Sequence, residues 1–287
     1  MTPVAVVTDT THYLPADLVA RHDLHLVSLY VRWGGEQLRE SEMEDFGAFY
    51  ERLRSARELP TTSQPSIGDF VAVLEPLVAA GRDVLSVHIS AGISGTHDAA
   101  LQAKAQLEER GHPGRIEVVD SGSGCGGLGF VALAACARAR AGGSLSEVAA
   151  QARDARDHMK VWFAVDTLEY LRRGGRIGAA QAWIGGALKI KPILSIESEI
   201  APIERVRTSG KAFERLVEFM RSLAAEGANA WIVQHVQAAE QAERLVERGR
   251  EVFGTEPVCV SEIGPVIGTH VGPGLIGVGA VPAHYLS

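Results

Sequence analysis

The sequence predicts an α/β protein of two domains, with a mainly parallel sheet in the N-terminal domain and a mixed α/β C-terminal domain. Apolar runs of strand length alternate with amphipathic stretches of helical length, which is typical of β-α-β units. The 287 residues suffice for one large or two medium domains. Hydrophobic residues make up 46% of the chain and charged residues 22%, a balance that indicates a folded core.

The first predicted domain covers residues 1–158 and begins with a buried strand, VAVVTD (4–9). Asp9 at its end and the two threonines that follow supply N-cap side chains before a short helix that begins at Pro15. Ser66 and Asp69 have the spacing of a capping box and predict a helix over 67–80. The other elements predicted here are a charged helix around 43–57, a loop at 59–66, strands at 83–89 and 116–120, a helix at 97–110, and a helical stretch at 128–158 interrupted at 142–143.

The second predicted domain covers residues 159–287 and alternates helices with strands. Its predicted strands are VWFAVD (161–166), PILSIE (192–197), NAWIVQHV (229–236), EPVCVSEI (256–263) and LIGVGAV (275–281). Its predicted helices are the small-residue segment AAQAWIGGALKI (179–190) and the stretches 211–226 and 238–253. The segment GPVIGTHVGPG (264–274) is predicted to be a loop, because each glycine costs a helix about 1 kcal/mol and its prolines interrupt one.

Composition excludes several classes of function. A net charge of −7 argues against nucleic acid as the main partner, because phosphate backbones bind basic surfaces. The three cysteines (Cys125, Cys136 and Cys259) are far apart, so neither a disulfide framework nor a zinc site is expected, and a reducing cytoplasm fits. No segment approaches the about 18 apolar residues of a membrane span, and no secretory signal is expected.

Hydroxyl-bearing and glycine-bearing turns before helices predict a site for one anion. The turn SAGISGT (90–96) presents hydroxyls and free backbone amides where a helix dipole favours negative charge. The segment TTSQPS (61–66) adds two more hydroxyls, and a histidine on the glycine-rich segment is suited to reading an anionic group. The candidate residues are Thr62, Ser63, Ser94, Gly95, Thr96 and His270. The alternative is that these hydroxyls only cap helices.

Other motifs leave further alternatives open. GSGCGG (122–127) matches a dinucleotide fingerprint, but no strand ending in an acidic residue follows, so a helix start packed by glycines and capped by Ser121 and Ser123 is favoured. An acyl hydrolase or transferase using Ser94 and His270 stays open, although no nucleophile elbow is present. A basic cluster predicts either a solvated face or a docking site for phosphate or a partner; it comprises Arg172, Arg173, Arg176, Lys189 and Lys191.

The segments TTSQPS, SAGISGT, EYLRRGGRIG and GPVIGTHVGPGLIG, in this order along the whole chain, together resemble the DegV family of bacterial fatty-acid-binding proteins. TDTTHYLP and VVDS fit as well. The resemblance implies two α/β domains with one long-chain fatty acid, such as palmitate, held between them, and no catalytic residue, metal or cofactor. In members of the fatty acid kinase system, the loaded protein presents the carboxylate to a separate ATP-dependent kinase that makes the acyl phosphate.

By this resemblance, the carboxylate contacts fall on Thr62, Ser63, Ser94 and His270. Arg173 is implied to lie near the head group or to contact the kinase. The expected function is therefore that of a cytoplasmic carrier rather than an enzyme. The apolar stretches 130–136 and 182–190 either line a tunnel for the tail or are tightly packed helices.

Overall fold

A computed structural model describes residues 3–184 and 190–287 and contains three sheets within these ranges. The strands are β1 (Ala5–Asp9), β2 (Leu24–Val27), β3 (Tyr30–Trp33), β4 (Glu36–Arg39), β5 (Thr61–Ser63), β6 (Val84–His88), β7 (Ile116–Asp120), β8 (Lys160–Ala164), β9 (Lys191–Glu197), β10 (Glu199–Val206), β11 (Ala230–His235), β12 (Cys259–Glu262) and β13 (Ile276–Val281). The helices are α1 (Ala16–Arg21), α2 (Phe46–Ser55), α3 (Ile67–Ala79), α4 (Thr96–Glu109), α5 (Cys125–Arg140), α6 (Leu145–His158), α7 (Glu169–Arg173), α8 (Ser209–Ala225), α9 (Ala239–Phe253) and α10 (Pro265–Val271).

The first sheet is parallel throughout, in the order β2-β1-β6-β7, as the alternation of strands and helices predicts. Alternate residues of β1 face opposite layers, since Ala5 and Val7 pack with α3 and α4 while Val6 packs with α5 and α6. The capping box of Ser66 and Asp69 is formed at the start of α3. Both faces of this sheet are therefore covered by helices, which explains its continuous apolar strands.

The second sheet has the order β10-β9-β8-β13-β11-β12 and is mixed, because only β11 and β12 run parallel. Helices α8 and α9 cover one face around the fully buried Trp231. The predicted final strand lies in this sheet, between β8 and β11. The mixed α/β architecture is thus confirmed, while a domain boundary at 158/159 stays a prediction.

A small antiparallel sheet, in the order β4-β3-β5, was not predicted from the sequence. Its strand β5 lies inside the segment 59–66 that was predicted to be a loop, and Thr62 pairs there with Val31. Because this pairing fixes the backbone, the hydroxyl-bearing residues of β5 have defined positions.

The segment 264–274 corrects the sequence prediction, because Pro265–Val271 forms a helix rather than a loop. Pro265 occupies the first helical position, where a missing N–H costs nothing. Gly268 is required by a close approach, since a Cβ there would lie 2.1 Å from the Tyr50 hydroxyl oxygen. The helix ends at Gly272, whose φ of 74° suits glycine.

The start of α5 also differs from the prediction. Its N-cap is Gly124, with no capping hydrogen bond from a side chain, so the assignment of Ser121 and Ser123 as caps is wrong. The Ser121 hydroxyl instead donates to the Ser123 carbonyl at 3.0 Å. A Cβ on Gly126 would lie 1.6 Å from Ile232 Cδ1, so the glycines bring α5 against β11.

The predicted helix 179–190 is only partly described. Gly178–Trp183 forms a 3₁₀ helix, and residues 185–189 lie outside the described residues, as does much of the apolar stretch 182–190. No helix within the described ranges is long and apolar enough to cross a membrane.

Candidate functional site

A deep, mostly apolar cavity lies between the carboxyl edge of the parallel sheet and one face of the six-stranded sheet. It contains about 1020 Å³ of space, its open mouth included. Ile89 and Ile93, which follow β6, line one side, and Val161 and Phe163 of β8 line the other. Ligand sites of α/β proteins commonly lie at such a carboxyl edge, so this cavity is the leading candidate site.

Hydrogen bonds hold two of the polar side chains that line the cavity, those of His270 and Arg176. Thr62 Oγ1 and His270 Nε2 lie 2.7 Å apart and share a hydrogen bond that joins β5 to α10. Arg176 donates through Nε to the Ile93 carbonyl at 3.3 Å, beside Ser94, and through Nη1 to the Gly174 carbonyl at 2.9 Å. These links place the segments from both halves of the chain around one polar end.

His270 is neutral at neutral pH. Burial lowers its pKa to about 4, and the positive charge of Arg176 acts in the same direction. Its Nδ1 atom is buried and has no hydrogen-bond partner among the described residues. The ring approaches Gly174 so closely that a Cβ there would lie 2.2 Å from Nδ1. His270 therefore supplies a fixed, uncharged imidazole to the polar end.

Ser94 lies in the turn after β6, which is fastened to the second sheet. Ser90 donates its hydroxyl to the Ser198 carbonyl at 2.5 Å, between β9 and β10. Ser94 Oγ lies 2.8 Å from Thr96 Oγ1 and accepts from the Thr96 amide at 3.3 Å. The turn thus directs Ser94 to the cavity, which it lines together with Thr62 and Ser63.

The structure separates two other predicted site residues from the cavity wall. Thr96 is fully buried at the start of α4 and does not line the cavity. Gly95 does not line the cavity either, but borders a solvent-open depression next to it, and a Cβ there would come within 2.7 Å of the Gln64 side-chain amide. Their role in holding an anion stays a prediction, and the geometry gives them the task of shaping the turn that carries Ser94.

Arg176, rather than Arg173, is the arginine that lines the cavity. Arg173 is exposed and donates to the Arg57 carbonyl at 3.4 Å. Arg172 is paired with Glu169 at 2.7 Å and Lys191 with Asp166 at 2.5 Å, while Lys189 lies outside the described residues. The sequence signal that distinguishes Arg176 is its place directly after two glycines, which let the chain turn toward the cavity.

The geometry gives no support to a nucleophile and base formed by Ser94 and His270. Ser94 shares its hydroxyl hydrogen bond with Thr96, and His270 shares its own with Thr62. A hydroxyl nucleophile needs a base within hydrogen-bond reach, and these two side chains are directed to other partners.

A second serine, histidine and aspartate set has distances like those of a catalytic triad. Ser86 Oγ lies 2.6 Å from His88 Nε2, and His88 Nδ1 lies 3.0 Å from Asp9 Oδ2. All three residues are fully buried, and none lines the cavity. A substrate has no route to this set, which instead joins the ends of β1 and β6 beneath the turn that carries Ser94.

Among residues 3–184 and 190–287, no group of three or more histidine, cysteine, aspartate and glutamate side chains is arranged to hold a metal ion. The polar side chains that line the cavity offer hydroxyls, one imidazole, one guanidinium and the amides of Gln64 and Gln234, and most of the other lining side chains are apolar. This arrangement is suited to an amphiphile with a small anionic head.

Comparisons with solved structures identify the same fold in proteins that bind fatty acids. The crystal structure of DegV, described as a fatty acid binding protein from Bacillus subtilis, has a TM-score of 0.88 at 35% identity, covering 98% of this chain and 99% of that one. A DegV family protein from Thermus thermophilus, described by its fatty acid binding, has a TM-score of 0.87 at 35% identity over the same shares of the two chains.

Sequence comparisons cover nearly the whole chain. A DegV domain-containing protein of Streptomyces coelicolor is 42% identical over 278 residues, covering 96% of this chain and 97% of that protein. Protein DegV of Bacillus subtilis is 37% identical over 281 residues, covering 96% and 98%. The family model described as "Uncharacterised protein, DegV family" matches residues 3–283. The chain belongs to the DegV family.

Proposed function

We propose that this protein binds one long-chain fatty acid in the cavity, with the carboxylate beside Thr62, Ser63, Ser94 and His270. The observation that carries the proposal is a mostly apolar cavity that is also lined by the hydrogen-bonded pair Thr62 and His270 and by Arg176. Fatty acid binding by relatives 35% identical in sequence supports the same ligand class.

The tail supplies a large share of the binding free energy. Burial of a methylene is worth about 0.8 kcal/mol, so a roughly 16-carbon tail contributes on the order of 10 kcal/mol before the costs of ordering. Hydrogen bonds from hydroxyls to a charged acceptor contribute about 1.5 to 3 kcal/mol each. The polar end therefore fixes the orientation of the ligand, and Arg176 adds the positive charge that neutral His270 lacks.

The protein acts in this proposal as a carrier that does no chemistry on its ligand. Ser94 and Arg176 also line a solvent-open depression next to the cavity, so the carboxylate would face a partner enzyme there. An ATP-dependent fatty acid kinase, as the family resemblance implies, is the proposed partner. The exposed Arg173, on the helix beside this opening, is proposed to contact it.

The first test is denaturing extraction of the purified protein, followed by mass spectrometry of the released molecules. One free fatty acid per protein chain is expected, since a ligand buried along its whole tail dissociates slowly. A protein that is empty and also fails to take up added fatty acid would contradict the proposal.

Ser94→Ala is expected to weaken fatty acid retention about tenfold to hundredfold, because a hydroxyl that donates to a charged carboxylate is lost. Affinity is measured by fluorescence displacement of a bound fatty acid probe. Ser66→Ala is the matched control, since Ser66 caps α3 outside the cavity and its loss affects stability by about 1 kcal/mol. Equal affinities for Ser94→Ala and the parent protein would contradict the assigned role of Ser94.

Substitutions at two neighbouring glycines test whether the position of His270 matters for binding. Gly174→Ala places a Cβ 2.2 Å from His270 Nδ1, so the ring must move and fatty acid affinity is expected to fall about tenfold. Gly175→Ala meets no atom within 4 Å, but its φ of 70° costs alanine about 1 kcal/mol of stability. Gly174→Ala should thus lower fatty acid affinity, whereas Gly175→Ala should lower thermal stability. Unchanged affinity in Gly174→Ala would remove His270 from the proposed site.

A further inference from the structure

Strand β13, one of the two central strands of the second sheet, presents bare backbone to the cavity. Gly277 and Gly279 of β13 both line the cavity, and they lie on the same face because they are two residues apart. Ile276 and Ala280, which alternate with them, pack with α8 and α9 on the opposite face. The absence of side chains is therefore confined to the face that borders the cavity.

The strands on both sides of β13 carry large side chains at the same levels. The sheet register sets Val161 of β8 and Ile232 of β11 beside Gly279, and Phe163 of β8 and Gln234 of β11 beside Gly277. All four of these residues line the cavity. The result is a trough about 7 Å long, with backbone as its floor and side chains as its two walls.

Helix α5 packs against the wall of the trough that β11 forms. A Cβ on Gly126 would lie 1.6 Å from Ile232 Cδ1, and the Gly126 amide donates to Gln234 Oε1 at 2.6 Å. These contacts pack the helix closely against β11, so moving it to make room for a larger residue on β13 would break them. The depth of the trough thus depends on the two glycines.

The two glycines lie at different depths. Gly277 follows shortly after α10, which carries His270 at the polar end. A Cβ on Gly279 would lie 2.8 Å from Val161 Cγ2 and 3.7 Å from Phe130 Cε2, a residue of the buried core. Gly279 therefore marks the inner part of the trough.

We infer that the trough over Gly277 and Gly279 receives the acyl tail and determines the chain length that the protein accepts. The inference rests on the proposed function, because it assigns residues for the tail of the same ligand. A side chain at position 279 fills the inner part of the trough and excludes the last methylenes of a long chain. Each excluded methylene lowers affinity by a factor of about four, so short chains lose less than long ones.

The test is competitive loading with an equimolar mixture of laurate, myristate, palmitate and stearate, after bound lipid has been removed. The fatty acids that each protein retains are then extracted and quantified by mass spectrometry. Gly279→Val is expected to lower the ratio of retained stearate to laurate by at least about tenfold relative to the parent protein. Gly277→Val, nearer the polar end, is expected to lower retention of all four.

Ile276→Val is the matched control, because it removes a methylene from the same strand on the opposite face and leaves the trough unchanged. Gly279→Ala, a smaller addition, is used with circular dichroism in case the valine variant does not fold. A parent protein that takes up none of the four acids would contradict the proposed function itself. A parent protein that loads, with the same chain-length profile in a folded Gly279 variant, would overturn the inference about the trough.

Discussion

Asp9→Asn is expected to lower the free energy of unfolding by about 3 to 5 kcal/mol, because it replaces a fully buried carboxylate that is hydrogen-bonded through both of its oxygens. Asp9 Oδ1 accepts from the Thr11 amide at 3.1 Å and from its hydroxyl at 2.5 Å. Asp9 Oδ2 accepts from the Ile89 amide at 2.9 Å and lies 3.0 Å from His88 Nδ1. An asparagine would place its side-chain NH₂ group either at the position of Oδ1, which faces Thr11, or at the position of Oδ2, which faces Ile89 and His88.

The acid dependence of stability gives a second readout of the same carboxylate. Burial alone would raise the pKa of Asp9, but hydrogen bonding and attraction to His88, with bonds from Thr11 and Ile89, lower it below its ordinary value of 3.8. Stability from this group is thus present above pH 3.8 and is lost as pH falls through the lowered pKa. This contribution should be absent in the asparagine variant.

Asp17→Asn is the matched control, because Asp17 is exposed in a surface pair with Arg21. Exposed pairs of this kind are worth about 0 to 1 kcal/mol. Urea unfolding followed by circular dichroism measures both variants. A loss of less than about 1 kcal/mol in Asp9→Asn would show that the buried set contributes little to holding β1, β6 and the turn that follows β6 together.

The sequence predicts those elements whose local pattern agrees with their tertiary surroundings. Strands β1, β6 and β7 are short apolar runs because helices cover both faces of their sheet. The small sheet was missed because β4, EQLR, is exposed along its whole length and shows no alternation. Its position depends on pairing with β3, which local composition does not reveal.

Helix α10 was missed for a different reason. Its glycines oppose helix formation when only propensity is considered. In the folded protein, however, Gly268 allows contact with Tyr50, and the Tyr50 hydroxyl donates to the Ile263 carbonyl at 2.5 Å just before the helix. Packing against a residue more than two hundred positions away thus decides the structure of this segment.

The candidate site was predicted in part. The family resemblance indicated Thr62, Ser63, Ser94 and His270, which the structure places around one cavity. The trough on β13 could not be predicted, because its walls come from β8 and β11 and depend on the register of three strands. The structural role of a glycine in a strand can be assigned only when the residues beside it on the neighbouring strands are known.

Glu40→Gln is expected to make the protein more stable than its parent at pH 8, although the two should be similar near pH 5. Glu40 is buried and accepts from the Thr10 hydroxyl at 2.7 Å, the Tyr13 hydroxyl at 2.8 Å and the Val266 amide at 2.8 Å. Burial raises its pKa to about 7, although these hydrogen bonds act in the opposite direction. Ionising Glu40 therefore costs the folded state more than the unfolded state.

The sign of the effect follows from proton binding. Between the ordinary pKa of 4.5 and about 7, the folded protein holds a proton on Glu40 that the unfolded chain has lost. Stability from this group is present below pH 4.5 and is lost as pH rises through 7, by about 3 kcal/mol in total. Glutamine keeps the shape and oxygen of the side chain and carries no charge, so it removes this loss.

The measurement is urea unfolding of both proteins across the range from pH 5 to pH 8, with Glu42→Gln as the matched change at an exposed site nearby. Stability should still fall toward acid pH in Glu40→Gln, because burial lowers the pKa of His270 to about 4. The unfolded chain takes up that proton from pH 6.5 downward, whereas the folded protein does not. Glu40 accepts the Val266 amide in the first turn of α10, which carries His270. If the free energies of unfolding of Glu40→Gln and the parent protein change in parallel from pH 5 to pH 8, Glu40 is ionised in the folded protein throughout this range. The ionised carboxylate, hydrogen-bonded to its three donors, would then stabilise α10.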